Sequence, residues 1–61
     1  MAKFEVYKDT KGEYRWRLKA GNGEVVADGN EGYASKQSCL NGIRVVKENA
    51  AAAEVVELES K

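Results

Sequence analysis

In GEYRWRLK, residues 12 to 19, aromatic or aliphatic side chains alternate with cations: Tyr14, Arg15, Trp16, Arg17, Leu18, Lys19. Rings that stack bases beside cations that hold phosphates would make a nucleic-acid surface. The same alternation also describes a half-buried strand, apolar on one face and solvated on the other. Other candidates for chemistry are few. Without histidine, general acid–base work would fall to carboxylates, lysines or tyrosines, and no Asp or Glu has an obvious partner at fixed spacing. Cys39 offers a thiol in the second turn of an expected helix. Its place on the apolar stripe makes it a small core hydrophobe rather than a nucleophile. One cysteine and no histidine exclude an internal disulfide and a Cys/His zinc site. GNG and GNEG lack nucleotide-fingerprint spacing and are turns. No catalytic residue, cofactor or metal site is expected.

The elements that carry these residues follow from period. Lys3 to Lys8 puts Phe4 and Val6 on one face and Lys3, Glu5 and Tyr7 on the other, which is strand alternation. Glu13 to Lys19 repeats it, with Tyr14, Trp16 and Leu18 against Arg15, Arg17 and Lys19. A three-residue loop, Thr10-Lys11-Gly12, places glycine at the left-handed position of the turn. Phe4 then faces Leu18, Val6 faces Trp16 and Lys8 faces Tyr14, while Glu5 faces Arg17 and Tyr7 faces Arg15. Slipping by one residue would mix the two faces. The second hairpin, AGNGE, has two solutions. A two-residue Asn22-Gly23 loop aims Val25 inward, and a three-residue Gly21-Asn22-Gly23 loop aims Val26 inward. Either way Glu24 to Ala27 is a third strand, and the polar DGNEG that follows is a loop.

From Tyr33 to Asn49 the period changes. Cys39, Ile43 and Val46, with Gly42 beside them, form one stripe opposite Gln37, Asn41, Arg44 and Glu48, as in an amphipathic helix. Ser35 suits the N-cap, and Asn49 can take a left-handed C-terminal position. Gly42 costs a helix about 1 kcal/mol relative to alanine, which suggests close approach to a bulky sheet residue such as Trp16. After Ala50 to Ala53, EVVEL resumes alternation, with Val56 and Leu58 opposite Val55 and Glu57. Glu54 to Leu58 is therefore expected to be a fourth strand. The fold class is α+β: a βββαβ unit, an antiparallel meander with one helix packed on the sheet, filling residues 1–61 as a single domain.

Sixty-one residues with ten basic and ten acidic side chains set further bounds. A chain this short buries only about 60% of the surface it exposes when unfolded, so self-association is the expected support. The charge balance counts against nucleic acid as a partner. No apolar run approaches the ~20 residues of a membrane span, and MAKFEVYKD lacks the apolar core of a secretory signal. A single thiol suits a reducing cytoplasm.

The runs FEVYKDTKGEYRWRLKAGNGEVVA, EGYASKQSCLNGI and NAAAAEV together resemble the YegP-like family of small uncharacterised bacterial proteins over about residues 3 to 56. The resemblance implies βββαβ units, arranged as tandem repeats in one chain or as two subunits, that build a continuous sheet and exchange C-terminal strands. This chain holds one copy, so the resemblance implies a homodimer, with Val55, Val56 and Leu58 in the exchanged strand. ADGNEGY is longer than the family's usual spacing, which leaves the exit from strand three open. The family brings no established activity. The expectation is a non-catalytic interaction or scaffold module with an unidentified protein partner. The alternative is weak nucleic-acid binding through an outer face made of Lys3, Tyr7, Arg15, Arg17 and Lys19. The register places Trp16 and Tyr14 on the helix side, which leaves Tyr7 alone for stacking.

Overall fold

The computed structural model describes residues 1–29 and 31–59. They form β1 (Lys3–Lys8), β2 (Tyr14–Lys19), β3 (Val25–Asp28) and α1 (Lys36–Asn49). The strands make one antiparallel sheet in the order β1-β2-β3. β1 and β2 pair in the expected register, Phe4 opposite Leu18, Glu5 opposite Arg17, Val6 opposite Trp16, Tyr7 opposite Arg15 and Lys8 opposite Tyr14. The turn between them closes as Asp9 N–H donates to the Glu13 carbonyl at 2.9 Å and Gly12 N–H to that of Asp9 at 3.0 Å. Gly12 sits at φ +82°, where an L side chain is strained.

The second hairpin combines both solutions. Its turn is the three-residue loop: Ala20 N–H donates to the Glu24 carbonyl at 2.8 Å, Gly23 N–H to that of Ala20 at 2.9 Å, and Gly23 lies at φ +91°. The register then shifts. Lys19 faces Val25, but Leu18 faces Ala27 and Arg17 faces Asp28. Val26 is the extra residue of a β-bulge, which reconciles turn geometry with the face the strand must present. Ala27 therefore stands opposite Leu18, but all four residues of β3 are exposed, and neither Val25 (51% exposed) nor Val26 (58%) is aimed into the core as either turn solution expected. The strand leaves the sheet at Gly29, whose N–H donates to the Trp16 carbonyl at 3.2 Å. Asn30, in the polar loop, lies outside the described residues. The chain rejoins β2 at Tyr33, which exchanges two backbone hydrogen bonds with Tyr14 at 2.7 and 2.8 Å.

Ser35 caps α1 as its side chain expects: the hydroxyl accepts from Ser38 N–H at 3.2 Å. Cys39 and Ile43 on the buried stripe meet Trp16 in the core, and Phe4, Val6, Tyr14, Leu18, Tyr33 and Val46 pack around them. Phe4 and Trp16 meet edge to face at 5.6 Å, the arrangement ring quadrupoles favour. Gly42 does admit a bulky sheet residue, but that residue is Tyr33 rather than Trp16. A Cβ on Gly42 would lie 2.5 Å from the Tyr33 hydroxyl oxygen and 3.1 Å from Cζ. By rejoining the sheet beside Tyr14, Tyr33 brings its ring under the helix.

Two expectations are corrected at the C-terminal end. Asn49 is not left-handed. The helix runs out through Ala50, which keeps right-handed geometry and donates to the Val46 carbonyl at 2.9 Å, while Asn49 Nδ2 donates to the Val45 carbonyl at 2.7 Å. The fourth strand is absent from this chain: residues 53–59 carry no strand pairing. Among the described residues the architecture is three strands and one helix. Alternation is a property of the segment, but a strand exists only where another backbone supplies hydrogen bonds, and none lies alongside.

Candidate functional site

The solvated face of the sheet carries Lys3, Glu5 and Tyr7 from β1 and Arg15, Arg17 and Lys19 from β2, as the pleat requires. Its cations are occupied within the fold. Arg17 Nε donates to Glu5 Oε1 at 2.8 Å, while Lys19 Nζ and Lys3 Nζ approach the same carboxylate at 3.7 and 3.6 Å. The Arg17 guanidinium lies over the Tyr7 ring at 4.8 Å, so the one aromatic available for stacking already has a cation against it. Arg15 Nε donates to Asp9 Oδ2 at 2.6 Å.

Asp9 is a residue whose role sequence reading missed. Its other oxygen accepts from the backbone N–H of Lys11 and of Glu13, both at 2.9 Å, so one side chain closes the turn and anchors Arg15. The signal was an aspartate three residues before a left-handed glycine, the pattern of a side chain that mimics a turn backbone.

Both carboxyls are held below their ordinary values. Asp9 is lowered first by the Arg15 hydrogen bond and then by the Glu13 N–H. Glu5 is lowered first by the Arg17 hydrogen bond and also by the charge of Lys19. The unfolded chain therefore takes up protons more readily than the folded one. The stability these groups contribute is complete above their unfolded values, near pH 4, and drains away as pH falls through the lowered folded values. The urea midpoint should hold steady from pH 7 to about 5 and then fall toward pH 2. The variant Glu5→Gln with Asp9→Asn should be less stable at pH 7 and show a shallower acid limb. An equally steep limb in that variant would place the acid sensitivity elsewhere.

Cys39 is fully buried, and burial pushes its thiol above the ordinary value. It is protonated at neutral pH and sealed from reagents, the opposite of an activated nucleophile. Among the described residues no three His, Cys, Asp or Glu side chains gather as a metal site, and no helix is long and apolar enough to cross a membrane.

The less satisfied surfaces lie at the margins. β1 and β3 are both edge strands. Because Asp9 and Glu13 form a hydrogen-bonded pair, antiparallel alternation turns the backbone groups of Phe4, Val6 and Lys8 outward along β1. On α1, Leu40, Ile43, Arg44, Lys47 and Glu48 line a groove of about 380 Å³. At 100° per residue, Leu40 and Lys47 fall on the flank opposite Gly42, hence away from Tyr33. Leu40 is 40% exposed there. The tail beyond α1 leaves Val55, Val56 and Leu58 at 96%, 62% and 83% exposure. Arg44 is solvent-exposed as its place opposite the apolar stripe requires, and the groove it borders with Leu40 and Ile43 is what sequence reading missed.

Among the described residues, a three-stranded sheet backed by one helix, with an unpaired tail that exposes Val55, Val56 and Leu58, defines a small α+β domain. The family model described as "Domain of unknown function (DUF1508)" matches residues 9–57, and the chain belongs to that family. A UPF0339 protein of Neisseria meningitidis serogroup B is 56% identical over 55 residues, 90% of this chain and 96% of that one. The UPF0339 protein YegP of Yersinia pestis is 45% identical over 47 residues, 77% of this chain but 41% of its own. The solution structure of a protein from Haloferax volcanii superposes with a TM-score of 0.86 at 53% identity, covering 93% of this chain and 95% of that one. The resemblance to YegP-like proteins is thus a family membership, and the family's function is unknown.

Proposed function

We propose that the protein is a non-catalytic interaction module that acts as a homodimer, each copy lending residues 54–58 to the other as a fourth strand along β1. The observation that carries this is the tail itself. An alternating segment with Val55, Val56 and Leu58 exposed stands unpaired in a molecule that also has an open β1 edge and an apolar groove on α1. A strand added to β1 would cover that edge, and Val56 and Leu58 would extend a core in which, among the described residues, only Trp16, Cys39 and Ile43 are buried. A relative whose matched stretch fills 41% of its length leaves room for a second unit in one chain, which fits the same pairing. A protonated, buried thiol is compatible with work in a reducing cytoplasm. Nucleic-acid binding by Arg15, Arg17 and Lys19 has less support, because each already faces a carboxylate.

Sedimentation equilibrium tests the proposal. The full chain should run at twice its 6.7 kDa, and a chain ending at Ala53 at about the monomer mass with a lower melting temperature. A full chain that stays monomeric up to millimolar concentration would refute it, as would a truncated chain that still dimerises.

A further inference from the structure

The formal charge of zero hides a division along the chain. Residues 1–53 hold nine Lys and Arg against seven Asp and Glu, a surplus of two positive charges. Residues 54–61 hold one Lys against three Glu, a surplus of two negative charges. The cationic surplus has a place near the groove. Lys47 has no ion-pair partner among the described residues. Arg44 has only the exposed contact with Glu48 at 3.7 Å, with side chains 65% and 58% exposed, a pairing that competes weakly for the guanidinium. The floor between them is Leu40 and Ile43. An extended occupant of this groove must therefore offer apolar side chains at alternate positions and carboxylates at its margin. The tail EVVELE has that pattern: Val56 and Leu58 share a face with Glu54, while Glu57 and Glu59 point the other way.

We infer that the cationic flank of α1, Arg44 and Lys47 over Leu40 and Ile43, is the receptor for the acidic tail of a second copy, so that self-recognition is addressed by charge. The inference rests on the self-association proposed above and adds what selects the partner. Val56 and Leu58 supply contact, and Glu54 reaches the rim of the groove. Glu57 and Glu59 fall on the outer sheet face beside Lys3, whose side chain is 66% exposed. Charges at such a rim select and orient more than they bind, so the assembly is sensitive to salt and to the sign of both surfaces.

A charge exchange decides it. In one variant Arg44→Glu and Lys47→Glu turn the body negative and leave the tail as it is. In the other, Glu54→Lys reverses the tail's charge at the rim of the groove and leaves Glu57 and Glu59, which face Lys3, as they are. All three residues are exposed, so circular dichroism and Trp16 fluorescence should match the parent. In 50 mM NaCl each variant alone should dimerise about tenfold more weakly than the parent, and an equimolar mixture should recover parental affinity. Raising NaCl to 500 mM should weaken the parent about tenfold. A parental dimer indifferent to salt and to both variants would overturn charge recognition while leaving the dimer standing. Weak variants that do not recover on mixing would also overturn it, since the charges would then act elsewhere. A parent that is monomeric throughout would overturn the dimer itself.

Discussion

Replacing Trp16 with alanine should leave the chain unfolded at room temperature. A domain of this size has a total stability of roughly 3–9 kcal/mol, and removing a buried indole costs about 3–5 kcal/mol in lost transfer energy and cavity. Trp16 is 7% exposed and touches every layer of the small core, with Phe4 edge-on at 5.6 Å and Cys39 and Ile43 above it. With Trp16, Cys39 and Ile43 the buried hydrophobic side chains among the described residues, the core has nothing in reserve to collapse into the space. Because Trp16 is also the single tryptophan, fluorescence is lost with it, and far-ultraviolet circular dichroism and amide chemical-shift dispersion are the measurements to use. Leu40→Ala is the control. It removes an aliphatic side chain that is 40% exposed and should leave the spectrum native. A dispersed, cooperatively melting Trp16→Ala protein would mean that the core is organised around something else.

The second large effect is expected at Gly29. A Cβ there would sit 2.6 Å from Trp16 Nε1 and 2.8 Å from Cε2. The indole is held by the whole core and cannot yield, so the strain must go into the backbone at the exit of β3. Overpacking of this kind costs about 1–3 kcal/mol. It would also disturb the hydrogen bond from Gly29 N–H to the Trp16 carbonyl. Gly29→Ala should therefore lower the urea midpoint clearly. Ala27→Gly, two residues earlier and within β3, should do so less. If Gly29→Ala is as stable as the parent, the strand exit is looser than the indole contact implies.

These two sites differ in how far they could be read in advance. Trp16 was legible. Alternation from Glu13 to Lys19, with a three-residue turn ending in glycine, admits one register that keeps all large apolar groups together, and that register is the one adopted. Gly29 was legible only as a loop residue, because its constraint comes from an indole thirteen positions away in sequence. The same holds for Gly42. Its cost to a helix announced a close neighbour, but naming Tyr33 required knowing that the chain detours after β3 and returns to pair with Tyr14. The second hairpin offered two registers because both turns suit Gly-Asn-Gly, and the bulge at Val26 uses one at the turn and the other along the strand.

Sequence alone determined the elements with a strong period, the inward and outward sets of β1 and β2, the Ser35 cap and the core role of Cys39. Each of these depends on neighbours one to four residues apart, where backbone geometry leaves few choices. It also determined that GEYRWRLK divides into two faces, so that Trp16 and Arg17 never share a surface. Only the tertiary structure decided which cations are already engaged, since ion pairs such as Arg15 with Asp9 and Arg17 with Glu5 arise from strand pairing. Only it placed Leu40, Arg44 and Lys47 around a groove. The tail shows the difference most clearly. Alternation in EVVEL is local and can be read from five residues, but a strand needs a second backbone at hydrogen-bonding distance, and the single chain sets none beside it.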